Sequence, residues 1–249
     1  MNFLIVNDDG IDSAGIRALA DALRTQGKIF VSAPAVQQSG KAQSITFMEP
    51  IEVEPAEFEG AELAWRVHGT PADCTKIGLQ LCALEGHEID IVFSGINHGN
   101  NLGTDTLYSG TVGAAMEAIL QDKRGVAVSL GDHNPTHFEA ACDLAVQLIP
   151  IVMWMEPMVM LNVNVPDLPK EEIKGIRYAS LGPHFFLDGF VYKEGNTYQL
   201  DGHIPDYSHM GEALDVGASS LCYATITPLK PDHTDHELLA KMADWDLSL

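Results

Sequence analysis

An α/β fold is predicted: a Rossmann-like three-layer α/β/α sandwich with a mostly parallel sheet and a C-terminal hairpin arm. Three observations predict it. The chain opens on a short apolar run, Phe3-Leu4-Ile5-Val6, of the kind that forms a strand buried on both faces. Apolar runs and segments of helical period then alternate as far as Val165. The 249 residues, 46% of them hydrophobic, suffice for a single domain over 1–249 with a full core.

Each element follows from its local pattern. Asp12-Ser13 precedes Ile16, Leu19, Ala20 and Leu23, so a capped amphipathic helix should run to about Gly27. Residues 28–33 (KIFVSA) close a β-α-β unit whose crossover is expected to be right-handed. Residues 34–44 are polar and hold Ser39-Gly40, a loop at the end of that strand. Segments 45–47, 51–53 and 64–67 read as short strands at the sheet edge. From Pro71 a helix is expected, with Cys74, Ile77, Leu81 and Leu84 on one face. Thr70 suits the start of that helix, and Asp73 suits the positive end of its dipole.

The second half repeats the theme. Residues 90–94 (DIVFS) form a buried strand, followed by a Gly- and Asn-rich loop over 95–108. Ser109 caps a small-residue helix, 110–120; a strand over 125–130 and a helix over 137–151 come next. Residues 158–165 start apolar and then alternate, like a strand near a sheet edge. From about 183 to 217 the composition shifts, and alternating Phe190-Val191-Tyr192 suggests the hairpin arm. The pair Phe185-Phe186 in this arm suits an oligomer contact better than a nucleobase platform, and Trp65 and Trp154 suit core or interface. Strand character returns at 220–227, and a tail over about 230–249 holds a short helix at 237–245.

Bulk charge narrows the partners. With 14 Lys and Arg against 35 Asp and Glu, the formal net charge is −21. Such a chain offers no clustered basic surface for duplex nucleic acid. No run is long and apolar enough for a membrane span, and the N-terminus lacks a signal-like pattern. Cys74, Cys82, Cys142 and Cys222 show no C-x-x-C pairing, which suits reduced thiols and a cytoplasmic location.

The chemistry gathers where strands end. Asp8 and Asp9 follow the first strand directly, at the edge where open α/β sheets bind ligands. Adjacent carboxylates there repel one another and lose solvation, and a divalent cation offsets both costs. The plainer reading is that one of them merely caps the next helix. Ser39 and Asn97 lie in the loops after two further strands, which completes a donor set made only of oxygen. Such a set suits one hard ion, Mg²⁺ or Mn²⁺, rather than Zn²⁺ or copper. A second constellation runs from Ser94 to Gly103 and from Tyr108 to Gly113. Ser109, Gly110 and Thr111 open a helix whose unpaired N–H groups make an anion site. An ordinary Gly/Asn loop with a Ser cap is the plainer alternative.

These blocks form one pattern: N-D-D-G at 7–10, Q-S-G at 38–40, G-T-P-A-D-C at 69–74 and S-G-I-N-x-G-x-N-x-G at 94–103. Y-S-G-T-V at 108–112, L-N-V-N-V-P at 161–166 and T-I-T-P-L at 225–229 complete it. Together they resemble the SurE family of stationary-phase survival proteins, metal-dependent 5′/3′-nucleotidases. The resemblance implies metal ligation by Asp8, Asp9, Ser39 and Asn97. It implies hydrolysis of nucleoside monophosphates to nucleoside and phosphate, with short polyphosphate as a further substrate of some relatives. It also implies a homodimer or homotetramer held by the C-terminal arm, the region that matches least. Thr104 stands where relatives often carry an acid, and Ala118 follows Glu117 where Gly is common.

A catalytic set of Asp8, Asp9 and Asn97 would work by attack of a metal-activated water. Asp9 orients or deprotonates the water while Asp8 is mainly a ligand, or the roles are reversed. Asn101, Ser109 and the amides of Gly110 and Thr111 would hold the phosphate, with Ser39 beside them. His98 suits a substrate contact or a solvated position equally, and Lys41 suits phosphate attraction less well than simple exposure. His68 and His184 receive no role. Two other classes compete. A haloacid-dehalogenase-like phosphatase forms an aspartyl-phosphate, but its two aspartates are separated by one residue, whereas here they are adjacent and followed by Gly10. A non-hydrolytic Mg²⁺-binding nucleotide sensor of the receiver type is ordinarily shorter.

Overall fold

The computed structural model describes residues 1–183, 186–242 and 245. Eleven strands and six α-helices follow one another along them. The first half runs β1 (Asn2–Val6), α1 (Ala14–Leu23), β2 (Lys28–Pro34), β3 (Val53–Pro55), β4 (Leu63–Val67), α2 (Pro71–Leu84) and β5 (Ile91–His98). Then come α3 (Gly110–Leu120), β6 (Arg124–Leu130), α4 (Glu139–Trp154), β7 (Met160–Val165) and β8 (Ile176–Tyr178). The chain closes with β9 (Leu187–Tyr192), β10 (Tyr198–His203), α5 (Asp215–Ser220), β11 (Ala224–Leu229) and α6 (His236–Met242). Nine strands form one sheet in the order β3-β4-β2-β1-β5-β6-β7-β11-β8, parallel except at β3–β4 and β7–β11. Helices α1 and α4 cover one face, and α2 and α3 the other. This is the expected three-layer sandwich.

Alternation along β1 builds both faces at once. Phe3 and Ile5 pack under Ile16, Leu19 and Leu23 of α1, whereas Leu4 and Val6 pack with Cys74, Cys82 and Ala114 from α2 and α3. The chain runs outward from β1 through β2 to β4, then returns to add β5 on the other side of β1. The carboxyl ends of β1 and β5 therefore flank a topological switch point, where open sheets bind ligands.

Several elements differ from the sequence reading, each for a local reason. Segment 45–47 forms no strand; side chains from α2 hold it instead, and the edge strand is Val53–Pro55. Helix α2 buries Cys74, Gly78 and Cys82 rather than Leu84, which is exposed. Gly78 sets that rotation, because a Cβ there would lie 2.7 Å from the Ser32 Cβ. Strand β5 continues through the expected loop to His98, with a register shift between Ser94 and Asn97. Strand β7 lies inside the sheet, since β11 folds back beside it. Short β8 and α5 carry too few periodic residues to be read in advance.

The arm region contains the β9–β10 hairpin, exposed along its whole length. After it the chain returns to the body, where Tyr207 and Val216 are buried with Leu102. Trp65 lies in the core and Trp154 is exposed. His184 and Phe185 lie outside the described residues, as do 243–244 and 246–249 of the expected tail. Among the described residues no helix is long and apolar enough to cross a membrane. All four cysteines are free thiols.

Helix α1 meets β5 at one tight point. A Cβ on Gly15 would lie 1.9 Å from the Ile96 carbonyl oxygen, beside Asn97. Gly15→Ala should therefore lower unfolding stability by about 1–3 kcal/mol, despite the better helix propensity of alanine. Urea midpoints measure this, and an unchanged or raised midpoint would refute the close approach.

Candidate metal and phosphate site

The turn after β1 is built by Asn7, which is fully buried. Its Nδ2 donates to the Gly10 carbonyl and to Ser13 Oγ, each at 2.9 Å, and its Oδ1 accepts the Gly10 N–H at 3.2 Å. Gly10 can close the turn because its φ of +98° is open to glycine. The turn holds the carboxylate of Asp8 inside the crevice, only 4% exposed. Thr111 Oγ1 donates to Asp8 Oδ1 at 2.5 Å, and Gly110 leaves the room that a Cβ 3.0 Å from Asp8 Oδ2 would fill. Burial pushes the Asp8 carboxyl up to about 6; the Thr111 bond opposes this and the neighbouring Asp9 adds to it.

Asp9 turns toward β5. Its Oδ2 accepts the His98 N–H at 3.1 Å, which sets this carboxylate beside Asn97. The register shift in β5 re-aims that part of the strand. Asn97 Nδ2 donates to the Gly99 carbonyl at 2.7 Å, so the amide oxygen is the atom left for a ligand. Ser39 is exposed, yet joined to Asp9 through one side chain. Gln37 Nε2 donates to Ser39 Oγ at 3.1 Å and to Asp9 Oδ1 at 3.3 Å.

The segment carrying Ser39 lacks regular structure but is fastened at several points. Asp73, in a capping box with Thr70, accepts the Thr46 N–H at 3.0 Å and its hydroxyl at 2.7 Å. Thr70 Oγ1 donates to the Ser44 carbonyl at 2.6 Å, and Ala42 N–H donates to the Tyr108 carbonyl at 2.9 Å. Buried Glu117 of α3 accepts from Gln43 Nε2 at 3.2 Å and from Lys76 Nζ at 2.9 Å. Gly113 gives the loop its seat, since a Cβ there would lie 2.4 Å from the Ala42 carbonyl oxygen.

Of the phosphate-binding candidates, those at the start of α3 stand next to these groups: Gly110 and Thr111 lie against Asp8. Ser109 caps α3 by accepting the Val112 N–H at 3.1 Å, which leaves its hydroxyl proton to donate elsewhere. The first N–H groups of α3 have no intrahelical partner, and Thr111 has already committed its hydroxyl to Asp8. Asn101 is buried, and side chains of β6 and β7 hold it. A cavity of about 740 Å³ adjoins Ser109 along α3, lined also by Leu107, Val112, Met116 and Leu229.

A hard cation fits this donor set. Neither Asp8 nor Asp9 pairs with Lys, Arg or His among the described residues, so two neighbouring negative charges go uncompensated. Asp8, Asp9, Asn97 and Ser39 offer only oxygen, the choice of Mg²⁺ or Mn²⁺. A separate acidic cluster, Glu52, Glu54 and His68, brings ligand atoms within 4.8 Å of one another. All three are exposed on the β3–β4 edge, and none belongs to the strand-end set.

Sequence reasoning missed Gln37, the Glu117–Gln43 tether and the side chains around Asn101. Asn162 and Asn164 had a visible signal: two polar residues alternating inside an otherwise apolar strand. Gln37 had none, because a polar residue in a polar loop is unremarked.

Known proteins resemble the chain over nearly its whole length. The family described as survival protein SurE matches residues 3–187. The 5′-nucleotidase SurE of Syntrophomonas wolfei is 40% identical over 245 residues, covering 96% of this chain and 92% of that protein. That of Picosynechococcus sp. is 37% identical over 273 residues, covering 99% and 98%. Among solved structures, the SurE protein from Aquifex aeolicus superposes with a TM-score of 0.84. It is 33% identical, with 97% of this chain and 98% of that one covered.

The raised pKa of Asp8 has a stability consequence. Native Asp8 binds its proton more tightly than an ordinary aspartate of pKa 3.8. Its contribution to folding is thus fully present below about pH 4 and is lost as pH rises through about 6. Without metal at pH 7 the charged group costs about 3 kcal/mol. Asp8→Asn should therefore raise the Tm in EDTA at pH 7, and Mn²⁺ should stabilise the parent but not the variant. A variant less stable than the parent in EDTA contradicts an uncompensated carboxylate at this place.

Proposed function

The chain belongs to the SurE family, and from that membership we propose that it is a 5′-nucleotidase that releases phosphate from nucleoside monophosphates. One observation carries the reading. A buried carboxylate without a cationic partner among the described residues touches the first turn of the helix whose N–H groups suit a phosphate. In this proposal Asp8, Asp9, Asn97 and Ser39 hold one Mg²⁺ or Mn²⁺ per subunit. When bound there, such an ion would polarise the phosphoryl group and lower the pKa of a nearby water.

The remaining roles fall to the chain itself. Asp9, the more accessible of the two carboxylates, orients the attacking water and takes its proton. Asp8 stays fixed by Thr111 and keeps the helix start against the site. Ser109, Asn101 and the amides of Gly110 and Thr111 hold the phosphoryl oxygens and stabilise charge developing on them. Terminal phosphates of short polyphosphate present the same oxygens and are further substrates. We place the protein in the cytoplasm, which its free thiols support. A homodimer or homotetramer is the proposed assembly, supported by exposed Phe190, Tyr192, Tyr198 and Leu200 on the hairpin.

Phosphate release from AMP, GMP and p-nitrophenyl phosphate should require Mg²⁺ or Mn²⁺ and stop with EDTA. Asp9→Asn should lower kcat at least about 100-fold while leaving the circular dichroism spectrum unchanged. Release that survives EDTA would refute the metal-dependent reading, and no release from any ester would favour the nucleotide sensor. A phosphorylated Asp8 trapped during turnover would instead favour the aspartyl-phosphate route.

A further inference from the structure

Three buried side chains on two neighbouring strands converge on a single loop residue. Asn101 N–H donates to Asn164 Oδ1 at 2.7 Å, and the Asn101 carbonyl accepts from Asn162 Nδ2 at 2.8 Å and Asn164 Nδ2 at 3.0 Å. Asn101 Nδ2 donates to Ser129 Oγ at 2.8 Å. Ser129, Asn162 and Asn164 are each at most 1% exposed. Both main-chain groups and the side chain of Asn101 are thereby held from the sheet below.

Strand register ties this arrangement to the metal ligands. Asn97 of β5 stands opposite Ser129 of β6, which stands opposite Asn164 of β7. The clamp and the candidate ligand Asn97 thus share one row across three strands. Glycines flank Asn101 on both sides, Gly99 at φ +110° and Gly103 at φ +54°. Such a segment has much freedom to lose. Buried Asp215 holds its far end by accepting the Gly103 N–H at 2.8 Å.

Packing alone does not explain the clamp. Apolar neighbours Leu161, Val163 and Val165 show what β7 uses where only burial matters. Burying three polar side chains carries a desolvation cost that only satisfied hydrogen bonds offset. Here the side-chain bonds of all three end on one residue, while Asn162 Oδ1 has no partner among the described residues. The Ser129 hydroxyl can accept from the Asn101 amide nitrogen or donate to its oxygen. In the amide orientation opposite to the one seen, Ser129 would donate to Asn101 Oδ1 and Nδ2 would be the donor left for a phosphoryl oxygen.

We propose that Ser129, Asn162 and Asn164 are positioning residues that preset Asn101 to bind the phosphoryl group. The proposal rests on the nucleotidase reading, and its test separates the two. Ser129→Ala, Asn101→Ala and the double variant are compared with the parent, all loaded with Mn²⁺. The readouts are the Kd for inorganic phosphate, KM and kcat with AMP, the Kd for Mn²⁺ and the Tm. Ser129→Ala should weaken phosphate binding about tenfold and raise KM similarly, with the Mn²⁺ Kd unchanged. Asn101→Ala should cause the same loss, and the double variant no more than either alone. Ser129→Thr, which keeps the hydroxyl, should restore phosphate binding. Additive losses, or a Ser129→Ala variant with parental phosphate Kd and only a lower Tm, would overturn the proposal. If the parent binds phosphate but hydrolyses no ester, the nucleotidase reading fails while the phosphate cycle still decides the clamp.

Discussion

Asp8 and Asp9 set two negative charges side by side at the mouth of a closely packed sheet, one of them almost out of solvent's reach. Desolvation and mutual repulsion both oppose ionisation there, and the Thr111 hydroxyl offsets only part of that cost. A fold retains such an arrangement at a loss of stability unless a positive charge completes it. Most of the surrounding detail serves that pair. Asn7 shapes the turn, Gly110 clears space for the carboxylate, and the Asp8 carbonyl accepts the Gln38 N–H at 2.7 Å, next to Ser39.

The fold supplies the pair with neighbours by topology rather than by sequence proximity. Because β5 returns beside β1, residues about ninety positions apart meet across one crevice, as the bond between Asp9 and the His98 N–H shows. The irregular segment around Ser39 could wander, but Asp73, Thr70 and Glu117 fasten it to two helices. Ordering these loops before a ligand arrives removes part of the entropy cost of binding. Strand β5 thus carries Asn97, the turn shaped by Asn7 carries Asp8 and Asp9, and hydrogen bonds hold the loop that carries Ser39.

The layers of the sandwich were legible because burial on both faces makes parallel strands continuously apolar, as in Phe3 to Val6. Helix α3 was legible to the residue, since Ser109 is a strong cap and Gly110–Leu120 has small-residue packing. The helical face of α2 was not, because close contact with β1 and β2 falls on a glycine that carries no hydropathy signal. Strand β5 reads short for a similar reason: Gly95, Asn97 and Gly99 look like loop residues, yet the strand passes a register shift after Ser94 and pairs Asn97 and His98 with β6. At the site, residue types alone suggest a metal and phosphate chemistry. Which side chains hold them in place depends on strand register, and register is set by the whole sheet rather than by any short stretch.

The most direct measurement is the anomalous diffraction of a crystal soaked in Mn²⁺. A single peak should lie within about 2–2.5 Å of carboxylate oxygens from both Asp8 and Asp9. It should face the amide oxygen of Asn97 and the first turn of α3. A peak seated instead on Glu52, Glu54 and His68, with none between Asp8 and Asp9, would contradict the account.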